Sequence, residues 1–266
     1  MDLLLRGKVA VISGASQGLG RATAHLLAQE GARVALLSRS REKLEDARRD
    51  ILAQTGQEDD AVQIHPLDVR DKAAVEQAIQ TIRAHFGGID ILLANAGGPP
   101  AGTFETITDE QYEDAFQTLF MGTVRLIRAV LPSMRTRGGG RIGIITSQSV
   151  KAPMPGLLLS NAIRAGVTGL ARTLANEVAK DGILINCFAP GRVDTERTRT
   201  LDAGIAEREG LSVEAVKARM SGEIPLGRYG TPEEFARVAA FYLSFANTYV
   251  TGQTILIDGG KVGTLW

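Results

Sequence analysis

The sequence predicts an α/β fold in which a doubly wound, seven-stranded parallel sheet carries helices on both faces. Short apolar runs alternate with longer amphipathic segments along the whole chain, and a glycine-rich loop directly follows the first apolar run. Regular alternation of strands and helices places a crossover helix between successive strands, so the strands come to lie parallel. No linker rich in Pro, Ser or Gly and no internal repeat interrupts the 266 residues, so we expect a single domain over residues 1–266.

The elements follow in order from hydrophobic periodicity and from the residues that start and stop each one. The seven apolar runs predicted as strands are 8–13, 33–37, 61–67, 90–94, 141–146, 183–188 and 254–257. The segments predicted as helices are 18–30, 41–54, 72–86, 109–135, 159–180, 213–220 and 232–246. Asp71 is expected to cap one helix, and Thr108 with Gln111 has the spacing of a capping box. Residues 192–230 are otherwise polar and irregular, and we expect them to form a substrate lid.

Charge and composition exclude several classes of function. The 30 Lys and Arg residues balance 30 Asp and Glu residues, which argues against a nucleic-acid-binding or membrane-surface protein. The one cysteine, Cys187, excludes an intramolecular disulfide and a cysteine-built zinc site, and we expect no metal. Apolar runs stay below the roughly 18 residues of a membrane-spanning helix, and the N-terminus lacks a signal-peptide core. A soluble, cytoplasmic protein is therefore expected.

The loop between the first strand and the first helix has the sequence SGASQGLG, from residue 13 to residue 20. Its glycines allow a tight turn and a close approach of the backbone, so that the N-terminus of the helix can bind a pyrophosphate. An ordinary glycine-rich turn is the alternative interpretation. The position after a strand and before a helix, near the start of the chain, favours a dinucleotide-binding site.

The end of the second strand indicates which dinucleotide is bound. A site for NAD(H) carries an Asp or Glu about 20 residues after the glycine loop, where it binds the adenosine ribose. This position holds Ser38, followed by Arg39. A guanidinium beside a small hydroxyl residue suits the ribose 2′-phosphate of NADP(H), because it can bind the phosphate through two hydrogen bonds. NADP(H) is therefore favoured over NAD(H), with a merely solvated Arg39 as the alternative.

Further motifs follow the later strands of the chain. They are Asp68-Val69, Asn95-Ala96-Gly97, Pro190-Gly191 with Thr195, and Asp258-Gly259-Gly260. Together with the Gly-x-x-x-Gly-x-Gly spacing of the first loop, they make the chain similar to the short-chain dehydrogenase/reductase family from Lys8 to Gly260. The 3-oxoacyl-acyl-carrier-protein reductase-like group is the nearest part of that family. The resemblance implies a Rossmann fold and an oxidoreductase that acts on a carbonyl or alcohol substrate.

The resemblance also implies contacts with each part of the cofactor. The residues implied at the pyrophosphate are Gly14, Ser16, Gly18, Leu19 and Gly20. Those implied at the adenine are Asp68 and Val69, and those on the adenosine side and against the sheet are Asn95, Ala96 and Gly97. Those implied at the nicotinamide end are Pro190, Gly191, Val193 and Thr195. Ala94 stands where the family often has a second Asn, which is a small departure.

The catalytic positions depart further from the family pattern. The family uses an Asn on the helix after strand four, a Ser after strand five, and a Tyr-x-x-x-Lys pair on the next helix. Ser147 matches the serine, but Ser160 stands at the tyrosine position and Arg164 at the lysine position. The flanking Ala165-Gly166 matches the family helix, and in the same register Leu119 replaces the asparagine. Ser147, Ser160 and Arg164 are thus the candidate catalytic residues.

These replacements remove ordinary acid catalysis. In the family the tyrosine protonates the carbonyl oxygen, and a serine hydroxyl is a far weaker acid. Arg164 can still hydrogen-bond the nicotinamide ribose, but it cannot transfer a proton. The loss is large, because general acid–base catalysis contributes about 10²–10⁴-fold. Lys151 is a candidate substitute donor, with a solvated loop lysine as the simpler interpretation. The histidines are expected to lie away from the site: His25, His65 and His85.

Three functions stay open on the sequence. They are an NADP(H)-dependent oxidoreductase with a non-standard site, an inactive NADP(H)-sensing or regulatory homologue, and a lyase or isomerase on the same fold. The oxidoreductase is favoured, because Pro190-Gly191 and Thr195 retain the motif that contacts nicotinamide, which a protein that binds only the nucleotide part would not need. Arg164, Lys151 and Arg192 suggest a small-molecule substrate that is anionic.

The helices after strands four and five predict self-association. Each carries apolar residues beyond a single face, and members of the family commonly form tetramers through these helices and the C-terminal strand. The apolar residues are Phe116, Leu119, Phe120, Val124 and Ile127 in one helix and Ile163, Val167, Leu170 and Leu174 in the other. The apolar tail 262–266 is expected to be buried between subunits. We therefore expect a homotetramer, with a dimer as the fallback.

Overall fold

Seven strands form one parallel sheet in the computed structural model, which describes residues 1–265. The strands are β1 (Val9–Ser13), β2 (Arg33–Ser38), β3 (Val62–Pro66), β4 (Ile91–Ala94), β5 (Gly140–Ile145), β6 (Ile183–Pro190) and β7 (Thr254–Ile257). Their order across the sheet is β3-β2-β1-β4-β5-β6-β7, and each neighbouring pair is parallel. The strand order reverses between β1 and β4, and open α/β sheets bind ligands beyond the carboxyl ends of the strands at such a reversal. The doubly wound sheet predicted from the sequence is confirmed.

Helices cover both faces of this sheet. They are α1 (Gly18–Gln29), α2 (Arg41–Thr55), α3 (Lys72–Phe86), α4 (Asp109–Ala115), α5 (Gly122–Thr136), α6 (Leu158–Val178), α7 (Glu196–Glu209), α8 (Val213–Gly222) and α9 (Pro232–Leu243). Successive residues of β1 alternate between the faces: Val9 and Val11 pack with α3, α5 and α6, while Ala10 and Ile12 pack with α1, α2 and α9. Burial on both faces explains why the strands are continuous apolar runs in the sequence.

Capping side chains fix where several helices begin. The Asp71 carboxylate accepts a hydrogen bond, at 3.0 Å, from a backbone N–H in the first turn of α3. Thr108 forms a capping box with Gln111, and Thr231 forms one with Glu234. These side chains satisfy backbone N–H groups that a helix leaves without internal partners. The predicted starts of α3, α4 and α9 therefore agree with the structure.

The segment 192–230 differs from its prediction. The sequence predicts one helical patch in an otherwise irregular segment, but α7 precedes α8 within it. The buried residues of α7 are Asp202 and Ala206, so the helix has no apolar stripe that periodicity could detect. Helical structure in this segment follows from its caps, Thr195 and Gly210, rather than from an amphipathic face.

A π-helical segment, Phe116–Met121, joins α4 to α5 where the sequence predicts an unbroken α-helix over 109–135. The spacing of apolar residues gives no signal for this wider turn. Leu119, which is predicted to stand at the position of the family's asparagine, lies in the segment and is buried. π-Helical turns occur frequently at functional sites.

Two observations concern the surface of the molecule. Within residues 1–265, no helix combines the length and apolar character needed to cross a membrane. The apolar tail predicted to be buried between subunits ends in Trp266, which lies outside the described residues. Its neighbour Leu265 is exposed in the single chain.

Candidate active site

The glycine loop connects β1 to α1 at the carboxyl edge of the sheet. Gly14 and Gly18 have φ angles of +60° and +57°, which residues with a Cβ rarely adopt. A Cβ at Gly20 would lie 2.3 Å from the Gly14 carbonyl oxygen, so the loop packs against the helix start too closely for any other residue. Ser16 and Leu19 complete the loop and are partly buried. A loop of this shape leaves its backbone N–H groups uncovered by side chains, as a pyrophosphate site requires.

Asn95 joins the segment after β4 to the glycine loop. Its backbone N–H donates to the Ser13 hydroxyl at 2.9 Å, and that hydroxyl donates to the Asn95 carbonyl at 2.8 Å. The Asn95 amide nitrogen donates to the Gly14 carbonyl at 3.3 Å. Ala96 is partly buried, whereas a Cβ at Gly97 would meet no atom within 4 Å. The structure therefore brings these residues beside the glycine loop and leaves open space next to Gly97.

The end of β2 carries the predicted site for a 2′-phosphate. Ser38 ends the strand and is partly buried, and Arg39 is exposed, with no ion pair to any residue in 1–265. Hydrogen bonds from Arg70 are the main reason why the pKa of Asp68 is lowered, and the nearby charge of Arg39 adds to the effect. Arg39 is therefore close to the turn after β3 and available to a ligand in the cleft.

Asp68 and Val69 form that turn after β3. The Asp68 carboxylate accepts hydrogen bonds from the Arg70 guanidinium at 2.7 and 3.0 Å. Val69 packs on α5, where a Cβ at Gly122 would lie 2.8 Å from a Val69 methyl carbon. Because β2 and β3 pair, this turn lies beside Ser38, at the end of the cleft where the resemblance places the adenine.

The segment after β6 forms the opposite end of the cleft. Pro190 ends β6, and a Cβ at Gly191 would lie 2.6 Å from an atom of the turn after β7. Val193 is buried, and Thr195 caps α7 by accepting a hydrogen bond in its first turn. A Cβ at Gly18 would lie 3.5 Å from the Thr195 methyl carbon, so Thr195 faces the glycine loop across the cleft. The fold thus brings together both predicted halves of the cofactor site.

The three candidate catalytic residues lie on the turn after β5 and on α6, which packs against that turn. Ser147 begins a short 3₁₀ turn, and its hydroxyl oxygen accepts a hydrogen bond from the Ser149 N–H at 3.2 Å. Ser160 and Arg164 are both buried in α6 and lie one turn apart, so they share a face of that helix. The Arg164 guanidinium donates to the Ile145 carbonyl at 2.8 Å, two residues before Ser147.

Arg164 is a buried cation. Burial, with a smaller contribution from the charge of Arg197, lowers the pKa of Arg164 to about 10, so the guanidinium stays protonated at neutral pH. Among residues 1–265 it forms no ion pair with a carboxylate. A buried charge is costly unless it is paired, so an uncompensated guanidinium in a cleft marks a candidate functional site.

Leu119 faces α6 in a small apolar cluster and is 3% exposed. The buried members of this cluster are Ile107, Ala115, Leu119, Leu159 and Ile163. The place where the family carries an amide is therefore packed with hydrocarbon beside the helix of Ser160. The side chain of residue 119 has no polar atom that could order a proton-relay water there.

Three further residues reach the cleft and were missed by the sequence reasoning. Arg197, in the first turn of α7, donates to the Pro99 carbonyl at 2.6 Å. Gln148 is buried, and its side-chain oxygen has no hydrogen-bond partner within the described chain. Lys43 of α2 donates to the side chain of Gln17 in the glycine loop at 2.9 Å. No motif marks these residues, because their positions depend on how α2, α7 and the turn after β5 fold over the cleft.

Arg192, which the sequence suggests as a contact for an anionic substrate, is engaged within the protein. Its guanidinium forms an ion pair with Asp202, which is 3% exposed, and donates to the Tyr229 hydroxyl at 3.3 Å. Lys151 is partly exposed and has no ion pair with any other residue in 1–265. The histidines lie on α1, β3 and α3, in the part of the sheet away from β5 and β6, as expected: His25, His65 and His85.

Comparisons with known proteins agree with this geometry. The profile of the family described as enoyl-(acyl carrier protein) reductase matches residues 14–261. The chain is 36% identical over 256 residues to the 3-oxoacyl-acyl-carrier-protein reductase of Escherichia coli (strain K12), which covers 96% of this chain and 97% of that relative.

Two solved structures extend the comparison. The L-sorbose reductase of Gluconobacter frateurii, in complex with NADPH and L-sorbose, is similar with a TM-score of 0.93 at 34% identity over 100% of both chains. An NADPH-bound short-chain oxidoreductase of Pseudomonas aeruginosa PAO1, described as containing an atypical catalytic center, has a TM-score of 0.87 at 31% identity over 97% of both chains. The predicted resemblance is thereby confirmed, and the chain belongs to the short-chain dehydrogenase/reductase family.

Proposed function

We propose that this protein is an NADP(H)-dependent oxidoreductase that interconverts a carbonyl compound and its alcohol through Ser147, Ser160 and Arg164. One observation carries the proposal: the Arg164 guanidinium is buried at the end of β5, without a carboxylate partner in the described residues, on the helix face that it shares with Ser160. A fixed positive charge next to hydroxyl donors stabilises negative charge as it develops on a substrate oxygen.

The residues of the cleft fit the cofactor. The glycine loop would hold the pyrophosphate, Thr195 would contact the cofactor toward its nicotinamide end, and Arg39 beside Ser38 would bind the 2′-phosphate, where an acidic residue is absent. The buried side-chain oxygen of Gln148 offers a free acceptor at the other end, which suits an amide N–H such as the nicotinamide carries. The two solved relatives described above hold NADPH. When bound, this cofactor supplies or accepts the hydride.

Ser147, Ser160 and Arg164 each have a different role toward the substrate oxygen. The Ser147 oxygen accepts the Ser149 N–H, which orients the hydroxyl and leaves its proton free to donate to the substrate oxygen. Ser160 provides a second donor from α6, and Arg164 supplies the charge that stabilises the developing alkoxide. Neither serine is acidic enough to give up its proton. The proton that completes the reduction therefore comes from water, from Lys151 or from a group of the substrate itself.

A cofactor-binding protein without catalysis is the second candidate. Leu119 favours it, because its packing removes the amide that would order a relay water, while Ser160 removes the phenol. The P. aeruginosa relative supports the first candidate, since it is called an oxidoreductase and contains an atypical catalytic center.

Two measurements distinguish the candidates. Calorimetric titration with NADPH and NADH tests the binding of the cofactor, and NADPH oxidation over a panel of carbonyl compounds, including 3-oxoacyl thioesters, tests turnover. We expect Ser147→Ala to lower kcat by about 10²–10³-fold, as the loss of a donor to a developing oxyanion does, with an unchanged affinity for NADPH. Thr81→Ala, an exposed threonine of α3, serves as the control. Tight NADPH binding with no turnover on any compound would favour the cofactor-binding protein.

A further inference from the structure

Five buried or half-buried arginines have no carboxylate partner within residues 1–265, and they differ in how their N–H groups are used: Arg33, Arg125, Arg141, Arg164 and Arg197. Arg33 bonds two backbone carbonyls and lies over the Phe86 ring, and Arg125 makes three hydrogen bonds. Arg141 makes five hydrogen bonds to backbone carbonyls, so the protein itself satisfies its guanidinium. Arg164 makes one such bond, to the Ile145 carbonyl, and Arg197 makes one, to the Pro99 carbonyl. A guanidinium carries five N–H donors, so most of the donors of Arg164 and Arg197 remain available to a ligand.

Arg197 is held in place rather than free in solvent. Its guanidinium lies flat against Gly98, where a Cβ would come within 2.6 Å of Nε and 2.9 Å of Nη2. The hydrogen bond to Pro99 fixes the same group at 2.6 Å. Burial lowers the pKa of Arg197, and its charge in turn lowers the pKa of Arg164. The charge of Arg197 is thus felt at Arg164, and an anion bound to both groups would offset this repulsion.

The same segment shows that a carboxylate can neutralise a buried arginine. Arg192 lies five residues before Arg197, and it is paired with the buried Asp202 of α7. No carboxylate within the described residues pairs with Arg197, although Arg192 and Arg197 both belong to the segment that covers the cleft. An uncompensated guanidinium in this position fits a ligand better than a structural role.

The position of the pair separates it from the pyrophosphate site. Thr195 faces Gly18 of the glycine loop, whereas Arg197 lies over the Gly98-Pro99 segment. Arg164 donates to the carbonyl of Ile145, on the strand that ends at Ser147. The Gly98-Pro99 segment continues to Gly102, whose backbone pairs with Leu157 directly before α6, so Arg197 lies on the side of the cleft where α6 carries Ser160 and Arg164.

We infer that Arg197, together with Arg164, selects a substrate that carries a carboxylate or phosphate close to its carbonyl group. We assign the specificity to Arg197, because Arg164 also belongs to the catalytic site and its replacement would change catalysis as well. The inference rests on the proposed function and adds the chemical class of its substrate. An oxo acid or the phosphate ester of a hydroxy ketone has the required chemistry, since a planar guanidinium binds either anion through two hydrogen bonds.

Matched pairs of charged and neutral compounds test this inference. The probes are acetoacetate with methyl acetoacetate, and dihydroxyacetone phosphate with dihydroxyacetone, titrated calorimetrically into the NADPH-loaded protein so that the readout does not depend on turnover. We expect the parent to bind the charged member of at least one pair about tenfold or more tightly, as a charge-assisted hydrogen bond would give. Arg197→Ala should remove this preference, and Arg197→Lys should retain part of it. Arg208→Ala, an exposed arginine on the same helix, should leave the preference intact.

The outcomes separate this inference from the proposal on which it rests. Equal binding of charged and neutral probes by a parent that binds NADPH would overturn the inference and leave the proposed function standing. An Arg197→Ala protein that loses NADPH affinity by the same factor would show that Arg197 serves the cofactor phosphates, which also overturns it. A parent that does not bind NADPH would overturn the proposed function and the inference with it. Far-ultraviolet circular dichroism and the Tm confirm that each variant is folded.

Discussion

The two ends of the cleft are built by different means. At the glycine-loop end, backbone geometry sets the shape: Gly14 has a positive φ, and Gly20 lies so close to the Gly14 carbonyl that a Cβ cannot fit. At the reacting end, side-chain chemistry sets the properties, through Ser147, Ser160 and Arg164. The first end tolerates few substitutions at Gly14 and Gly20, because a Cβ at either position would lie too close to neighbouring atoms. The properties of the second end depend on side chains rather than on backbone shape, so we expect binding and reactivity to be separable.

The largest effect should come from restoring the family residues at the reacting end alone. The variant Ser160→Tyr, Arg164→Lys and Leu119→Asn introduces a phenol with a lowered pKa, a lysine beside it and an amide to order water. We expect NADPH-dependent reduction of simple ketones to rise by about 10²–10⁴-fold. Each single change should do much less, because such groups act as a unit. Initial rates of NADPH oxidation measure this gain.

The packing of Leu119 sets the control for that experiment. An asparagine in its apolar cluster would be a buried polar group, which costs about 1–3 kcal/mol if it is not hydrogen-bonded. The Tm and the NADPH affinity of Leu119→Asn must therefore be measured alone before the triple variant is interpreted. A parent that reduces simple ketones at ordinary rates, together with an unchanged rate in Ser160→Ala, would contradict the assignment of residue 160.

A smaller effect is expected at the glycine-loop end of the cleft, where the side chain of Arg39 is predicted to determine whether NADPH or NADH binds more tightly. Ser38→Asp with Arg39→Leu replaces a site for a 2′-phosphate by an acceptor for a ribose hydroxyl. We expect the double variant to bind NADH more tightly than NADPH and the parent to show the opposite order, each by about tenfold, because a charge-assisted pair is gained or lost. Calorimetry with both nucleotides measures the two orders. Equal affinities in the parent would contradict the preference for NADP(H).

The sequence could predict what depends on local rules. Periodicity and caps gave the sheet and the starts of α3, α4 and α9, and the spacing of motifs gave the family. It could not predict α7, whose buried residues, Asp202 and Ala206, form no apolar stripe. For the same reason it missed Arg197, since which of Arg192 and Arg197 is paired within the protein depends on how α7 folds over the cleft. The π turn around Leu119 was equally invisible to apolar spacing.

The smallest effect on the cleft should come from the outward side of the reacting end. Phe116 is 43% exposed and stacks on Phe120 at 5.1 Å between ring centroids, and a Cβ at Gly166 of α6 would lie 3.5 Å from the Phe120 ring. This aromatic surface suits the predicted homotetramer, because large exposed apolar groups mark association sites.

Light scattering at micromolar concentration should give the mass of four chains, and Phe116→Ser should lower that mass. Because α6 also carries Ser160 and Arg164, we expect kcat to fall a few-fold in this variant while the affinity for NADPH stays unchanged at the distant glycine loop. A parent with the mass of one chain would rule out the assembly, and a variant that loses NADPH affinity together with kcat would show that the two ends of the cleft are coupled rather than separable.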